Sequence, residues 1–171
     1  FLALRTNFAT ADDDNEIIRR RVGRTLTTTE AKELERAINE QVELPYPFIF
    51  KHTVEHRGVL VLKGKFSSQI TNVDPGYQRE GIFGVAQNPE RIYVQRSMPL
   101  QQEAQQTATI INEFVENARQ VLKNHPINLE RKRNGFPEAN ILLMRDAGNK
   151  LPILPRKEVW ATISPLPLEK G

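Results

Sequence analysis

"FIFKHTVEHRGVLVLKGKF" (Phe48 to Phe66) reads as two strands in succession. Phe48 and Phe50 alternate with other residues, the period of a half-buried strand. Val59 to Leu62 form an unbroken apolar run, suited to an inner strand covered on both sides. A helical pattern lies on each side of this pair. Upstream, "TTTEAKELERAINEQVEL" carries Leu34, Ile38 and Val42 at intervals of four, and Thr27 with Glu30 fits a capping box. "LPYP" stops that helix, since proline lacks the amide it needs. Downstream, Ala104, Ala108, Ile111, Val115, Ala118 and Leu122 are spaced four and three apart, with Ile110, Phe114 and Val121 widening the stripe. "NHP" ends it, because the residue before proline avoids the helical region.

The flanks supply more strands. "FLALRTNFAT" and "EIIRRRVGR" predict a hairpin closed by the acidic turn "ADDDN". "ANILLM" predicts a buried strand and "EVWATI" a last one. Pro152, Pro155, Pro165 and Pro167 make residues 149–171 an extended tail. Ser67 to about Asn88, rich in Gly, Asn, Asp and Pro, predicts a long functional loop. Hairpins interleaved with helices imply an α+β fold: a two-layer sandwich of a mixed or antiparallel sheet with two main helices on one face, ferredoxin-like.

Composition narrows the function. Of the 171 residues 39% are hydrophobic and 26% charged, as in a globular domain. A formal net charge of +3 argues against a dedicated nucleic-acid binder. The absence of cysteine excludes disulfides, thiolate metal sites and thiol catalysis. No apolar run approaches the roughly 20 residues of a membrane span. The opening residues lack a basic leader and cleavage site. An abrupt start in strand-like sequence, without methionine, suggests a segment of a longer protein.

Arginine is the conspicuous chemistry. "RRRVGR" (Arg19 to Arg24) holds four guanidiniums, and hairpin pairing would set Arg5 and Asn7 opposite Arg20 to Arg24. Such a cluster suits a carboxylate or phosphate, which arginine grips through paired hydrogen bonds. The local pattern by itself favours a charged edge strand that blocks aggregation. His56 and Arg57 precede the buried strand, and His56 by pattern is a polar strand-end residue. His52 and His56 in one extended strand would stand roughly 13 Å apart, too far to share a metal. "NLERKRNG" (Asn128 to Gly135) reads as a basic turn, and Arg145, Asp146 and Gly148 follow a strand, where ligand contacts often gather. Asp12 to Asp14 lack the glycine and distant glutamate of a calcium loop. No phosphate loop, Ser-His-Asp signature or HExxH pattern occurs.

Taken in order, "LRTNFAT", "RRRVGR", "HRGVLVLKG", "DPG", "NEF", "HPIN", Arg131 with Gly135, and "ANILLMRDAG" resemble the archaeal-type cofactor-independent phosphoglycerate mutases of the alkaline phosphatase superfamily. Each motif is weak alone; their ordered combination, from about Leu4 to Gly148, is specific. The resemblance implies a cytoplasmic glycolytic isomerase in which a core domain holds a nucleophilic serine and two divalent ions (Mn, Zn or Mg). Residues 1–171 would be the single domain inserted into that core, with the tail returning to it. This chain would then contain neither catalytic residues nor metal ligands, and would be inactive alone. The resemblance further implies that Arg5, Asn7, Arg20, Arg21, Arg24, His56, Arg57, Asp74, Asn128 and Arg131 face the cleft and bind phosphoglycerate. The sequence departs from the family's usual Asp at Arg19, Ala at Val22, His at Gly76 and Gly at Asp146, and lacks a histidine near Arg119. Those departures leave open a divergent phosphotransferase or phosphatase with another phosphorylated substrate. A free-standing module for small anions or RNA is the remaining alternative.

Overall fold

The computed structural model describes residues 1–80, 83–86 and 92–150, with the backbone alone for 78–80 and 83–86. At its centre is β1 (Leu2–Ala11), paired antiparallel with β4 (Arg57–Leu62) on one side and β7 (Ile141–Gly148) on the other. β4 also pairs antiparallel with β3 (Phe48–His52), so β1 and β3 run parallel with β4 between them. The strand order β7-β1-β4-β3, with α1 (Thr28–Gln41) joining β1 to β3 and α2 (Gln105–Lys123) joining β4 to β7, is the split β-α-β arrangement of a ferredoxin-like sandwich. The α+β class read from the sequence is the one observed.

Strand periodicity decides what each face carries. Leu2, Leu4 and Phe8 of β1 are buried, as are Leu60 and Leu62 of β4, Phe50 of β3 and Leu142 and Met144 of β7. They meet Leu34 and Ile38 of α1 and Ile111, Phe114, Ala118 and Leu122 of α2 in one core. Phe8 and Phe50 pack edge to face with centroids 5.7 Å apart. Burying each such side chain is worth about 1.5–3 kcal/mol. The residues between them, among them Arg5, Asn7, Arg57 and Arg145, fall on the opposite face.

Polar side chains close the edges. Thr27 and Glu30 form the expected reciprocal capping box at the start of α1. From the same helix Asn39 exchanges two hydrogen bonds with the backbone of Phe50, at 2.8 and 2.9 Å, and the Glu35 carboxylate accepts from the His52 amide. These contacts cover the free edge of β3, which would otherwise invite pairing with another chain.

Three local expectations give way. β2 covers only Ile17–Arg19, not Glu16 to Arg24, because β4 already occupies that side of β1 from Leu2 to Asn7 and leaves only Thr10 and Ala11 free. The chain then turns through Val22, Gly23 and Arg24, all at φ between 50° and 60°. The long loop after Ser67 contains a hairpin, β5 (Tyr77–Glu80) with β6 (Phe83–Ala86). Before the hairpin it runs along the outer edge of β7, where the amides of Val73 and Asp74 both donate to the Met144 carbonyl. The basic turn is mostly a helix, α3 (Pro126–Arg133), with Pro126 in its first turn and the His125 ring accepting from the Ile127 amide. The strand expected at "EVWATI" and most of the Pro-rich tail lie outside the described residues.

Candidate functional site

On the sheet face away from the helices, register brings the polar residues together. Asn7 stands opposite Arg57 of β4, and Arg5 opposite Arg145 of β7. The turn after β2 adds Arg20 and Arg21, tied down where Asn7 Nδ2 donates to the Arg20 carbonyl at 2.8 Å. The loop that follows β7's edge adds Tyr77. With His56, these residues line a cavity of about 170 Å³. Five of its eight lining residues are arginines.

Like charges this close need a counterweight. Asp74, with 0% exposure, lies behind the wall and supplies it. Its Oδ2 accepts from Arg20 Nη2 at 3.0 Å and Arg145 Nη1 at 3.2 Å, while Oδ1 accepts from the Gly76 amide at 3.0 Å. Both guanidiniums also lie over the Tyr77 ring, Arg145 at 4.1 Å and Arg20 at 4.9 Å from its centroid. Asp146 holds Arg5 at 3.3 Å and Arg145 Nε at 3.4 Å from a bulge in β7, where its own φ is 57°. Arg21 and Arg57 have no carboxylate partner among the described residues.

The electrostatics follow from this crowding. His56 is 3% exposed, and burial together with Arg57, Arg21 and Arg24 pushes its pKa down to about 4, against the pull of Glu55. It is therefore neutral near pH 7. Its Nδ1 is buried without a hydrogen-bond partner among the described residues, as is Arg20 Nε. Burial raises the Tyr77 phenol, but Arg145, Arg20 and Arg21 outweigh it and hold the group below its ordinary value.

Of the ten residues singled out from the sequence, Arg5, Asn7, Arg20, Arg21, His56 and Arg57 line this cavity, and Asp74 braces it from behind. The other three lie elsewhere. The left-handed turn at Val22–Arg24 carries Arg24 to an exposed position outside the lining. Asn128, 0% exposed, is engaged with the backbone of Leu122 and Ala139. Arg131, 4% exposed, binds the Pro137 and Thr25 carbonyls, the Thr25 hydroxyl and Glu30. These two residues fasten α3 to the rest of the fold. Arg19 is exposed and pairs with Thr10, also away from the cavity. The sequence places Arg145 just after a strand, where ligand contacts gather, but the family resemblance does not put it in the set, and Tyr77 is absent from both. The step along β7 from Met144, in the core, to Arg145 on the other face is the signal that could have placed the first in the cavity; Tyr77 gives none.

Among the described residues no three of His, Cys, Asp and Glu come together as a metal site, and no helix is long and apolar enough to cross a membrane. Asp12 instead accepts from the amides of Asp14 and Glu16 and closes its turn.

Fold and cavity together define a ferredoxin-like α+β domain with a positively charged concavity on its open sheet face. The profile of the family described as 2,3-bisphosphoglycerate-independent phosphoglycerate mutase matches residues 1–128, and the chain belongs to that family. It is 43% identical over 155 residues to the enzyme so named from Aeropyrum pernix, covering 86% of this chain and 37% of that one. The corresponding Pyrococcus abyssi protein is 39% identical over 177 residues, covering 99% of this chain and 40% of the relative. Among solved structures, the cofactor-independent phosphoglycerate mutase from Thermoplasma acidophilum superposes with a TM-score of 0.71 at 34% identity, covering 86% of this chain and 37% of that one. The chain thus spans about two fifths of the length of the relatives it matches.

Proposed function

We propose that this chain is the substrate-holding domain of a phosphoglycerate mutase, and that its arginine cavity binds the anionic groups of phosphoglycerate. The observation that carries this reading is the charge of the cavity. Five guanidiniums stand against the two carboxylates of Asp74 and Asp146, leaving three positive charges. Phosphoglycerate bears one carboxylate and one phosphate, about three negative charges near neutral pH. Arg145, held by Asp74, Asp146 and Tyr77, is the fixed part of the wall, and Arg20 joins it through Asp74 and Tyr77. Arg21 and Arg57, with no carboxylate partner among the described residues, are the groups left to meet the ligand. A preorganised set of this kind holds the glycerate in place and stabilises negative charge without rearranging during the reaction.

Neutral His56 contributes a hydrogen-bonding nitrogen instead of a charge. Its Nδ1, buried and unpartnered, donates or accepts according to which nitrogen carries the proton.

The chemistry of phosphoryl transfer, a serine nucleophile and divalent ions, belongs on this reading to the remainder of the longer protein, which docks on the open sheet face. In support, Ala3 near the start of β1 pairs with Gly148 at the end of β7, so the outer ends of these two strands lie side by side, an arrangement that suits an inserted domain. The test is interconversion of 2- and 3-phosphoglycerate by the full-length protein, followed by phosphorus NMR, beside the 171-residue chain alone. Turnover by the long form only is expected. Absence of turnover by the full-length protein would sink the substrate assignment and favour another phosphorylated ligand of the same superfamily.

A further inference from the structure

We propose that Gly76 is a positioning residue for Arg20: because position 76 has no side chain, the Arg20 guanidinium can sit between Asp74 and Tyr77 at the cavity wall. A Cβ built on Gly76 would stand 2.3 Å from Arg20 Cζ, 2.6 Å from Nη1 and 2.7 Å from Nε. These distances are far inside any non-bonded contact, so a side chain at 76 and Arg20 in its seat exclude one another.

Two comparisons within the chain, with Gly135 and Gly58, show what is different at this glycine. Gly135 has φ 73° and nothing within 4 Å of a built Cβ, so its backbone conformation alone accounts for it. Gly58 would meet the Lys51 carbonyl at 3.0 Å and Phe50 at 3.0 Å, contacts inside the sheet that cannot yield cheaply. Gly76 is the reverse of both. Its φ is outside the left-handed region, and the atoms in the way are the end of a flexible side chain. Substitution there moves Arg20 and leaves the fold.

Arg20 is also poised to be moved. Its seat provides one contact with Asp74 and the Tyr77 face, yet Nε has no partner among the described residues. The open space at 76, as much as the bonds formed, keeps the guanidinium there. With Arg20 seated, the cavity presents five guanidiniums; with it displaced, four. The size of residue 76 therefore sets the charge and shape offered to an oxyanion.

This inference rests on the reading of the cavity as an oxyanion site, and the experiment separates the two. The full-length protein as wild type, Gly76→Ala, Arg20→Ala and the double variant is titrated calorimetrically with 3-phosphoglycerate and, separately, with inorganic phosphate. Each single substitution should weaken binding about tenfold, because one positive charge is withdrawn from beside the ligand. The double variant should bind no more weakly than Arg20→Ala, because the methyl group then displaces nothing. The melting midpoint of Gly76→Ala should stay within a few degrees of that of Arg20→Ala, since both withdraw one cation from Asp74 while Arg145 remains on it. Unchanged binding by Gly76→Ala, multiplying losses in the double variant, or a melting midpoint far below that of Arg20→Ala would each overturn the proposal. If 3-phosphoglycerate fails to bind wild type while phosphate shows the predicted cycle, the role of Gly76 stands and the substrate assignment falls. If neither ligand registers the pair, the proposal is wrong.

Discussion

Arg145 and Asp74 meet at 3.2 Å where the carboxylate has no exposed surface, and the same oxygen also takes Arg20. A buried acid thus fixes two cations that the sequence separates by more than a hundred residues. Replacing Asp74 by Asn keeps the shape but leaves Arg20 without its carboxylate and Arg145 with Asp146 alone. Removing one member of a buried ionic group typically destabilises by about 3–5 kcal/mol. Asp74→Asn should lose stability of that order in urea denaturation and, on the proposed function, should raise the full-length protein's KM for phosphoglycerate because Arg20 and Arg145 no longer hold their places.

Arg145 should not tolerate lysine. Its Nη1 and Nε reach Asp74 and Asp146 while its plane covers Tyr77. A lysine ammonium is a point charge and cannot bridge two carboxylates while stacking. Arg145→Lys should therefore raise KM by about tenfold or more, the loss of one to two charge-assisted hydrogen bonds, with a smaller effect on kcat. Wild-type KM in this variant would remove Arg145 from the wall.

Asn128 should behave in the opposite way. It is fully buried and makes three hydrogen bonds to backbone atoms of Leu122 and Ala139. Asn128→Ala leaves those groups unsatisfied at roughly 1–3 kcal/mol each, less whatever water recovers. Lower stability with KM unchanged is the expected pair of results. A KM effect without a stability effect would return Asn128 to the binding site that the family resemblance suggested.

His56 gives a pH dependence with a definite sign. Its pKa falls from 6.5 unfolded to about 4 folded, so the folded state resists protonation. Stability from this group is complete above pH 6.5 and declines as pH falls from 6.5 toward 4, by roughly 2–3 kcal/mol. His56→Gln cannot titrate and should flatten that part of the urea midpoint against pH curve. An anion in the cavity should shift the same group upward, seen as a change in its histidine NMR titration when phosphoglycerate is added.

The parts of this fold that could be read from sequence are those built on apolar periodicity. Leu34 with Ile38, and Ile111 with Phe114, announce their helices because their own spacing buries them. α3 announces nothing, since its buried residues are Asn128 and Arg131, and a polar inner face leaves no stripe. "RRRVGR" looked like a strand because its local composition permits one. Only the long-range pairing of β1 with β4 withholds the partner it would need. The same holds for the site. Arg5, Asn7 and Arg57 could be picked out near strand signals, whereas Arg145 enters through the β1–β7 register and Tyr77 through a loop packed against it. The arginines converge from β1, β4, β7 and one turn, not from the hairpin that first suggested them.

The most direct measurement is a crystal structure of the full-length protein with 3-phosphoglycerate bound. The account predicts an anionic group of the ligand within hydrogen-bond distance of Arg21 and Arg57, with Arg20 and Arg145 still held on Asp74. A ligand bound without contact to any of these arginines would contradict it.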